Sequence, residues 1–354
     1  MKKFFILFLL AAFIIALIWK SFFSSTTETA LPVAFEFEEN LAVTFGSPVN
    51  FSFQTGEGVQ QVDFICNDTV IKSWKNPTEN LNYTFNLANR GVGTYPIRLV
   101  ATLENGQTYA DQRLMRVLSD IEPEIWIAKV IKTYPHQVAS FTQGLEFNNG
   151  ELYEGTGQKG ASKIAKVDLK TGKHLQEMNI DATYFGEGIT VLNGLIYQLT
   201  WTSGKCFVYD QQNLQLKSEL LYSGEGWGLC NDGTQIIMSN GTERLVFRDP
   251  KTFQITKSIE VYTNQGPIPN LNELEFIDGK IYANVWMTNR IMVIDPQTGK
   301  VEAVIDGNEP YKIGQGGGDV LNGIAYNTLT KSLYLTGKYW PLLMEVQLKK
   351  PSDL

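Results

Sequence analysis

The sequence predicts an all-β protein: a five-bladed β-propeller preceded by an immunoglobulin-like β-sandwich and an N-terminal hydrophobic anchor or signal. Three observations carry this. A strand-like motif recurs five times between Gln143 and Tyr326. The segment before it alternates apolar and polar residues at the period of a half-buried strand. Aromatic residues make up 12% of the chain and glycine is frequent, whereas long helical periodicity is lacking.

The repeats justify the propeller. The inner-strand segments align as Gln143-Gly144-Leu145-Glu146-Phe147, Glu187-Gly188-Ile189-Thr190-Val191, Trp227-Gly228-Leu229-Cys230-Asn231, Asn272-Glu273-Leu274-Glu275-Phe276 and Asn322-Gly323-Ile324-Ala325-Tyr326. Their central residues lie 44, 40, 45 and 50 positions apart. A tight-turn pair follows the first four: Asn149-Gly150, Asn193-Gly194, Asp232-Gly233 and Asp278-Gly279. Second and third strands come next, the third ending at Asp168, Asp210, Asp249 or Asp295. A four-stranded unit of this length, repeated, is a propeller blade. The fifth repeat lacks a fourth strand, and the spare segment Trp126–Lys132 is expected to complete it and close the ring. Closure is expected to leave no innermost edge unpaired. The propeller is assigned to residues 121–354.

Upstream, residues 26–120 show about seven short strands, ending in a hairpin around Glu104-Asn105-Gly106, and read as a sandwich. They hold no catalytic constellation, and a spacer or docking role is expected. Residues 1–25 place Lys2 and Lys3 before an apolar run from Phe4 to Trp19. This is a signal or membrane anchor, which implies export to a periplasmic or cell-envelope location.

Composition excludes several classes. A net charge of −7 argues against nucleic acid as a partner. Cys66, Cys206 and Cys230 form no C-x-x-C pair and read as small buried residues. With only His136 and His174, a multi-histidine metal site is not available. Gly155-Thr156-Gly157-Gln158-Lys159-Gly160 matches G-x-G-x-x-G but lies between strands, with no helix to offer its N-terminus to a phosphate.

Chemistry is expected where the repeats differ. The position opening each inner strand reads Gln143, Glu187, Trp227, Asn272 and Asn322. A matching position after each second strand reads Gly157, Trp201, Gly241, Trp286 and Lys338. Any one of these side chains alone is better explained as core or strand end. As a set around one axis they make an aromatic pocket with one acid and one cation, able to move a proton and hold an oxyanion. On the residues alone, a calcium-dependent lactonase-type hydrolase using Glu187, Asn272 and Asn322, or a non-catalytic binding propeller, stays open.

Phe141-Thr142-Gln143-Gly144-Leu145, Phe185-Gly186-Glu187-Gly188, Leu199-Thr200-Trp201, Gly226-Trp227-Gly228-Leu229, Leu271-Asn272-Glu273-Leu274, Asn284-Val285-Trp286 and Thr336-Gly337-Lys338 resemble the plant- and bacterial-type glutaminyl-peptide cyclotransferases. The resemblance covers about Lys129 to Leu348. It implies an acyltransferase that cyclises N-terminal glutaminyl residues of peptides to pyroglutamyl, releasing ammonia with no metal or other cofactor. It implies a site of Phe141, Gln143, Phe185, Glu187, Trp201, Trp227, Asn272, Trp286 and Lys338, with Glu187 shuttling the proton.

Overall fold

The computed structural model describes residues 31–37, 40–87 and 90–353. The anchor or signal read from residues 1–25 lies outside the described residues. Among those described, no helix is long and apolar enough to cross a membrane.

The fold is all-β, with one α-helix at Asn308–Gly314 and a 3-10 turn at Pro351–Asp353 among the described residues. The N-terminal strands form two sheets. One orders Val33–Phe35, Val49–Thr55 and Leu81–Phe85. The other orders Asn40–Thr44, Thr108–Leu118, Gly93–Leu103, Val59–Cys66 and Thr69–Lys75. The hairpin expected around Asn105-Gly106 is present, with Gly106 N–H donating to Leu103 O at 2.9 Å. The chain divides into two compact units, one holding Asn50–Tyr83 and Pro96–Arg113, the other Asn40–Val49, Thr84–Tyr95 and Leu114 onward.

Each sequence repeat folds as one antiparallel sheet. Sheet one holds Thr142–Asn148, Glu151–Thr156, Lys163–Val167 and His174–Asn179. Sheet two holds Gly186–Leu192, Leu195–Thr200, Lys205–Asp210 and Leu216–Leu221, and sheet three Leu229–Asn231, Ile236–Ser239, Arg244–Arg248 and Ile255–Glu260. Sheet four holds Leu271–Ile277, Lys280–Val285, Arg290–Ile294 and Val301–Asp306, and sheet five Leu321–Asn327, Ser332–Gly337 and Leu342–Lys349. The Asn-Gly and Asp-Gly turns form because these residues accept the left-handed backbone they need: Asn149 and Gly150 have φ of 51° and 81°.

The spare segment does pair with the fifth repeat. It lies in the 12-residue strand Glu124–Pro135, which runs antiparallel to Leu342–Lys349 with Lys129 opposite Gln347. Its first residues also pair in parallel with the fourth strand of sheet four, Ala303 opposite Glu124. Sheets four and five thereby merge into one eight-stranded sheet. The extra pairing follows from length, since the strand starts before Trp126 and so reaches a second partner.

Alternation along the strands sends successive side chains to opposite faces. Leu152 enters a cluster with Ala325 and Tyr334 of sheet five, while Tyr153 enters one with Ile189 and Phe207 of sheet two. Leu199 and Met238 join sheets two and three, Phe247 and Ile281 join three and four, and Ile291 and Leu335 join four and five. Sheet one thus packs on both sheet two and sheet five. Cys66, Cys206 and Cys230 are all buried.

One expectation is corrected. The innermost strands are not paired on both sides, because each stands at the end of its sheet's strand order. Five inner strands converge too closely to admit another strand, so side chains satisfy their free edges. Glu273 accepts from Leu145 N–H at 3.2 Å and Ile324 N–H at 2.9 Å. Glu146 accepts from Val191 N–H at 3.1 Å, and Glu275 from Tyr326 N–H at 2.8 Å. Burial pushes the Glu273 and Glu275 carboxyls well above the usual carboxylate range and Glu146 up to about 7. Glycine permits the close approach: a Cβ on Gly144 would stand 2.4 Å from Ile189 N, and one on Gly228 2.0 Å from Asn272 O.

Gly228→Ala is therefore expected to lower unfolding free energy by about 2–3 kcal/mol, the cost of forcing atoms into a closed interface. Urea denaturation measures this, and an unchanged midpoint would contradict the packing described.

Candidate active site

The register of the inner strands breaks at the same place in four sheets. The shifts fall between Thr142 and Gly144, Gly186 and Ile189, Leu271 and Leu274, and Leu321 and Ile324. Gln143, Glu187, Asn272 and Asn322 sit in these bulges. A bulge leaves a residue outside the ladder and re-aims its side chain. In sheet three the strand starts only at Leu229, and Trp227 precedes it, its N–H bonded to Ser239 O at 3.1 Å.

The second ring is fixed to the first through the backbone. N–H groups of Gly157, Trp201, Trp286 and Lys338 donate to the carbonyls of Phe141, Phe185, Asn270 and Val320, at 2.8, 3.0, 2.9 and 3.0 Å. Each acceptor lies two residues before the bulge residue of its own sheet. The two glycines of this ring leave room for neighbours: a Cβ on Gly157 would stand 2.5 Å from the Phe185 ring, and one on Gly241 2.5 Å from Trp227.

These elements enclose a cavity of ≈ 240 Å³ lined by Phe141, Gln143, Phe185, Glu187, Trp201, Trp227, Asn272, Trp286, Met287, Asp319 and Lys338. Nine of those residues are the nine expected from the sequence. Asn322 does not line it. Its amide Nδ2 donates to Thr142 O at 2.9 Å and Gln143 Oε1 at 3.3 Å, so it holds Gln143 from behind. Repeat comparison missed Met287 and Asp319 because both lie in connections that differ from sheet to sheet. Their signal is adjacency: Met287 follows Trp286 with a left-handed φ of 62°, and Asp319 N–H donates to Lys338 O at 2.8 Å.

Aromatic rings form much of the wall. Phe141 meets Tyr339 at 5.0 Å and Phe185 at 5.9 Å, and Phe185 meets Trp201 at 5.8 Å. Trp227 and Trp286 meet edge to face at 5.6 Å and 88°. The Lys338 ammonium lies 4.7 Å from the centre of the Phe141 ring.

Glu187 is 5% exposed and Lys338 4%. Burial pushes the Glu187 carboxyl well above the usual carboxylate range, with Lys338 opposing and Glu225 reinforcing the rise. Burial also pulls Lys338 below the usual lysine range, against the pull of Glu187 and Asp319. The rise brings Glu187 closer to a carboxyl that can both accept and return a proton than an exposed one would be. Asn272 Oδ1 is buried with no hydrogen-bond partner among the described residues, leaving an acceptor at the cavity for a ligand N–H.

Behind Gln143 lies a buried acid network. Glu154 accepts from Thr142 Oγ1 at 2.7 Å and Ser140 Oγ at 3.1 Å, and pairs with His136 Nε2 at 3.0 Å. His136 Nδ1 bonds Trp340 O at 2.7 Å, two residues beyond Lys338. Burial works against both charges, yet each holds the other: Glu154 stays below the carboxylate range and His136 is raised above 6.5. His174 Nε2 faces the same carboxylate at 3.5 Å.

A buried acid, a buried cation, two amides and an aromatic wall around one cavity define an enzyme site for polar chemistry on a small group. The comparisons agree with that class. The glutamine cyclotransferase family profile matches residues 100–348. The glutaminyl-peptide cyclotransferase of Arabidopsis thaliana is 38% identical over 239 residues, 66% of this chain and 75% of that protein. The crystal structure of Myxococcus xanthus glutaminyl cyclase superposes with a TM-score of 0.62 at 35% identity, covering 65% of this chain and 99% of that one. The chain belongs to the glutamine cyclotransferase family.

The His136–Glu154 pair predicts a pH window. A raised histidine stabilises the fold fully below about pH 6.5 and loses that effect as pH rises through its folded value. A lowered carboxyl stabilises above about 4.5 and loses the effect as pH falls through its folded value. The melting-temperature deficit of His136→Gln should accordingly peak between about pH 4.5 and 6.5. A deficit that grows steadily above pH 7 would contradict this.

Proposed function

We propose that the protein converts N-terminal glutaminyl residues of peptides to pyroglutamyl with release of ammonia. Family membership and the cavity support this reading together. The observation that carries it is that all nine residues implied by the family motifs line one cavity.

In the proposed reaction the substrate's α-amine loses a proton to the Glu187 carboxylate, and its nitrogen attacks the γ-carboxamide carbon. A carbon–nitrogen bond forms and the carbonyl oxygen becomes an oxyanion. Lys338, Gln143 and Asn272 orient the amide and stabilise that charge. Glu187 returns the proton to the departing nitrogen, the old carbon–nitrogen bond breaks, and ammonia leaves. Phe141, Phe185, Trp201, Trp227 and Trp286 hold the side chain folded over its own amine, where intramolecular attack has a large proximity advantage.

Around this site we read the five sheets as blades of a propeller, supported by the packing of each sheet on the next and of sheet five on sheet one. Residues 121–354 form this catalytic domain, and 26–120 an immunoglobulin-like sandwich acting as a spacer or docking module. The run from Phe4 to Trp19 exports the chain and attaches it to the membrane. The calcium-dependent alternative is disfavoured because Asn322, one of its three ligands, does not line the cavity; activity unchanged by a chelator separates the two readings.

Glu187→Gln should reduce ammonia release from a Gln-initiated peptide by at least about 10²-fold while the protein still folds. Near-normal turnover by that variant would remove Glu187 from the mechanism. For the wild type, the acid limb of kcat/KM should fall above the ordinary carboxylate pKa of about 4.3, because Glu187 must be ionised and burial raises it.

A further inference from the structure

We propose that Glu225, which no family motif includes, is a positioning residue that closes the aromatic wall of the site by holding two of its indoles on one carboxylate oxygen. This rests on the reading of the cavity as the cyclotransferase site. Trp201 Nε1 donates to Glu225 Oε2 at 2.8 Å, and Trp227 Nε1 donates to the same oxygen at 2.9 Å. Ring contacts run from Tyr339 through Phe141 and Phe185 to Trp201, and resume from Trp227 to Trp286. Among the described residues no ring contact joins Trp201 to Trp227, and Glu225 spans that gap.

The rings need such a device. Trp201 is 41% exposed and Trp227 half-buried, so packing alone does not lock them as it would in a core. The carboxylate is itself fixed through the backbone: Gly226 N–H donates to Trp201 O at 2.9 Å. Gly224 enters the turn with φ of 86°, and a Cβ on Gly226 would stand 2.3 Å from the Tyr222 hydroxyl. The turn Gly224-Glu225-Gly226 is therefore built to deliver one carboxylate to two indoles. Two charge-assisted hydrogen bonds to one oxygen fix both ring planes. The charge has a second effect, since Glu225 and Lys338 are the two charged groups that act on Glu187, and Glu225 favours its protonated form.

Two variants separate geometry from charge. Glu225→Gln keeps an oxygen that accepts from the indoles and removes the charge. Glu225→Ala removes both. With a Gln-initiated peptide and ammonia release as readout, Glu225→Ala should raise KM about tenfold with kcat changed by less than about threefold, the loss of two directed hydrogen bonds at a binding wall. Glu225→Gln should keep KM within about threefold and move the acid limb of kcat/KM to lower pH, because Glu187 ionises more readily without a neighbouring negative charge. The near-UV dichroism of the indoles should weaken in Glu225→Ala and persist in Glu225→Gln. Wild-type kinetics in Glu225→Ala would overturn the inference. So would a KM in Glu225→Gln as high as in Glu225→Ala with the acid limb unmoved. Either result leaves the cyclotransferase reading intact if the wild type releases ammonia, whereas a wild type that releases none defeats that reading itself.

Discussion

The free edge of the innermost strands is the constraint on which the structure depends. Five strands converge with their outer edges paired and their inner edges bare. A buried backbone N–H or C=O without a partner costs about as much as a lost hydrogen bond. The chain meets this with side chains rather than another strand: Glu273, Glu146 and Glu275 take N–H groups of neighbouring sheets, and Asn322 gives its amide to Thr142 O. Polar residues in the interior are thus required by the fold before any question of chemistry arises.

The site follows from the same constraint with a small displacement. Gln143, Glu187 and Asn272 occupy inner strands as Glu146 does, but at bulges that turn them into a cavity, whereas Glu273, in the same bulge as Asn272, turns to neighbouring backbone N–H groups. Where the bulge residue still serves the backbone, as at Asn322, it drops out of the cavity and supports Gln143. Burial shapes their chemistry. The Glu187 carboxyl rises and the Lys338 ammonium falls for one reason, removal from water, while each opposes the other's shift. The result is an acid and a cation both able to exchange protons closer to neutrality than they would in solvent.

Much of this was legible in the sequence, for a physical reason. Structural residues must recur at each repeat, so Leu145, Ile189, Leu229, Leu274 and Ile324 announce the strands, and Asn-Gly pairs announce the turns. Residues that break the recurrence stand out against them, which is how Glu187, Trp201 and Lys338 were found. The limits are equally physical. Position in a repeat does not say whether a bulge aims a side chain at the cavity or at a backbone, so Asn322 seemed equivalent to Asn272. Met287, Asp319 and Glu225 flank the two compared positions of their repeats rather than occupying them, so comparison of those two positions alone passes over them. Pairing of the strand Glu124–Pro135 with both sheets four and five depends on its full length, while only its Trp126–Lys132 portion stood out as spare.

The central claim is that this pocket folds a terminal glutamine so that its own α-amine displaces its γ-amide nitrogen. The most direct measurement uses a Gln-initiated peptide with a heavy-isotope label on that γ-amide nitrogen, incubated with the full chain and followed by mass spectrometry. The predicted result is a peptide lighter by one ammonia, with the label in the released ammonia. An unchanged peptide, or a shortened mass that retains the label, would contradict the account.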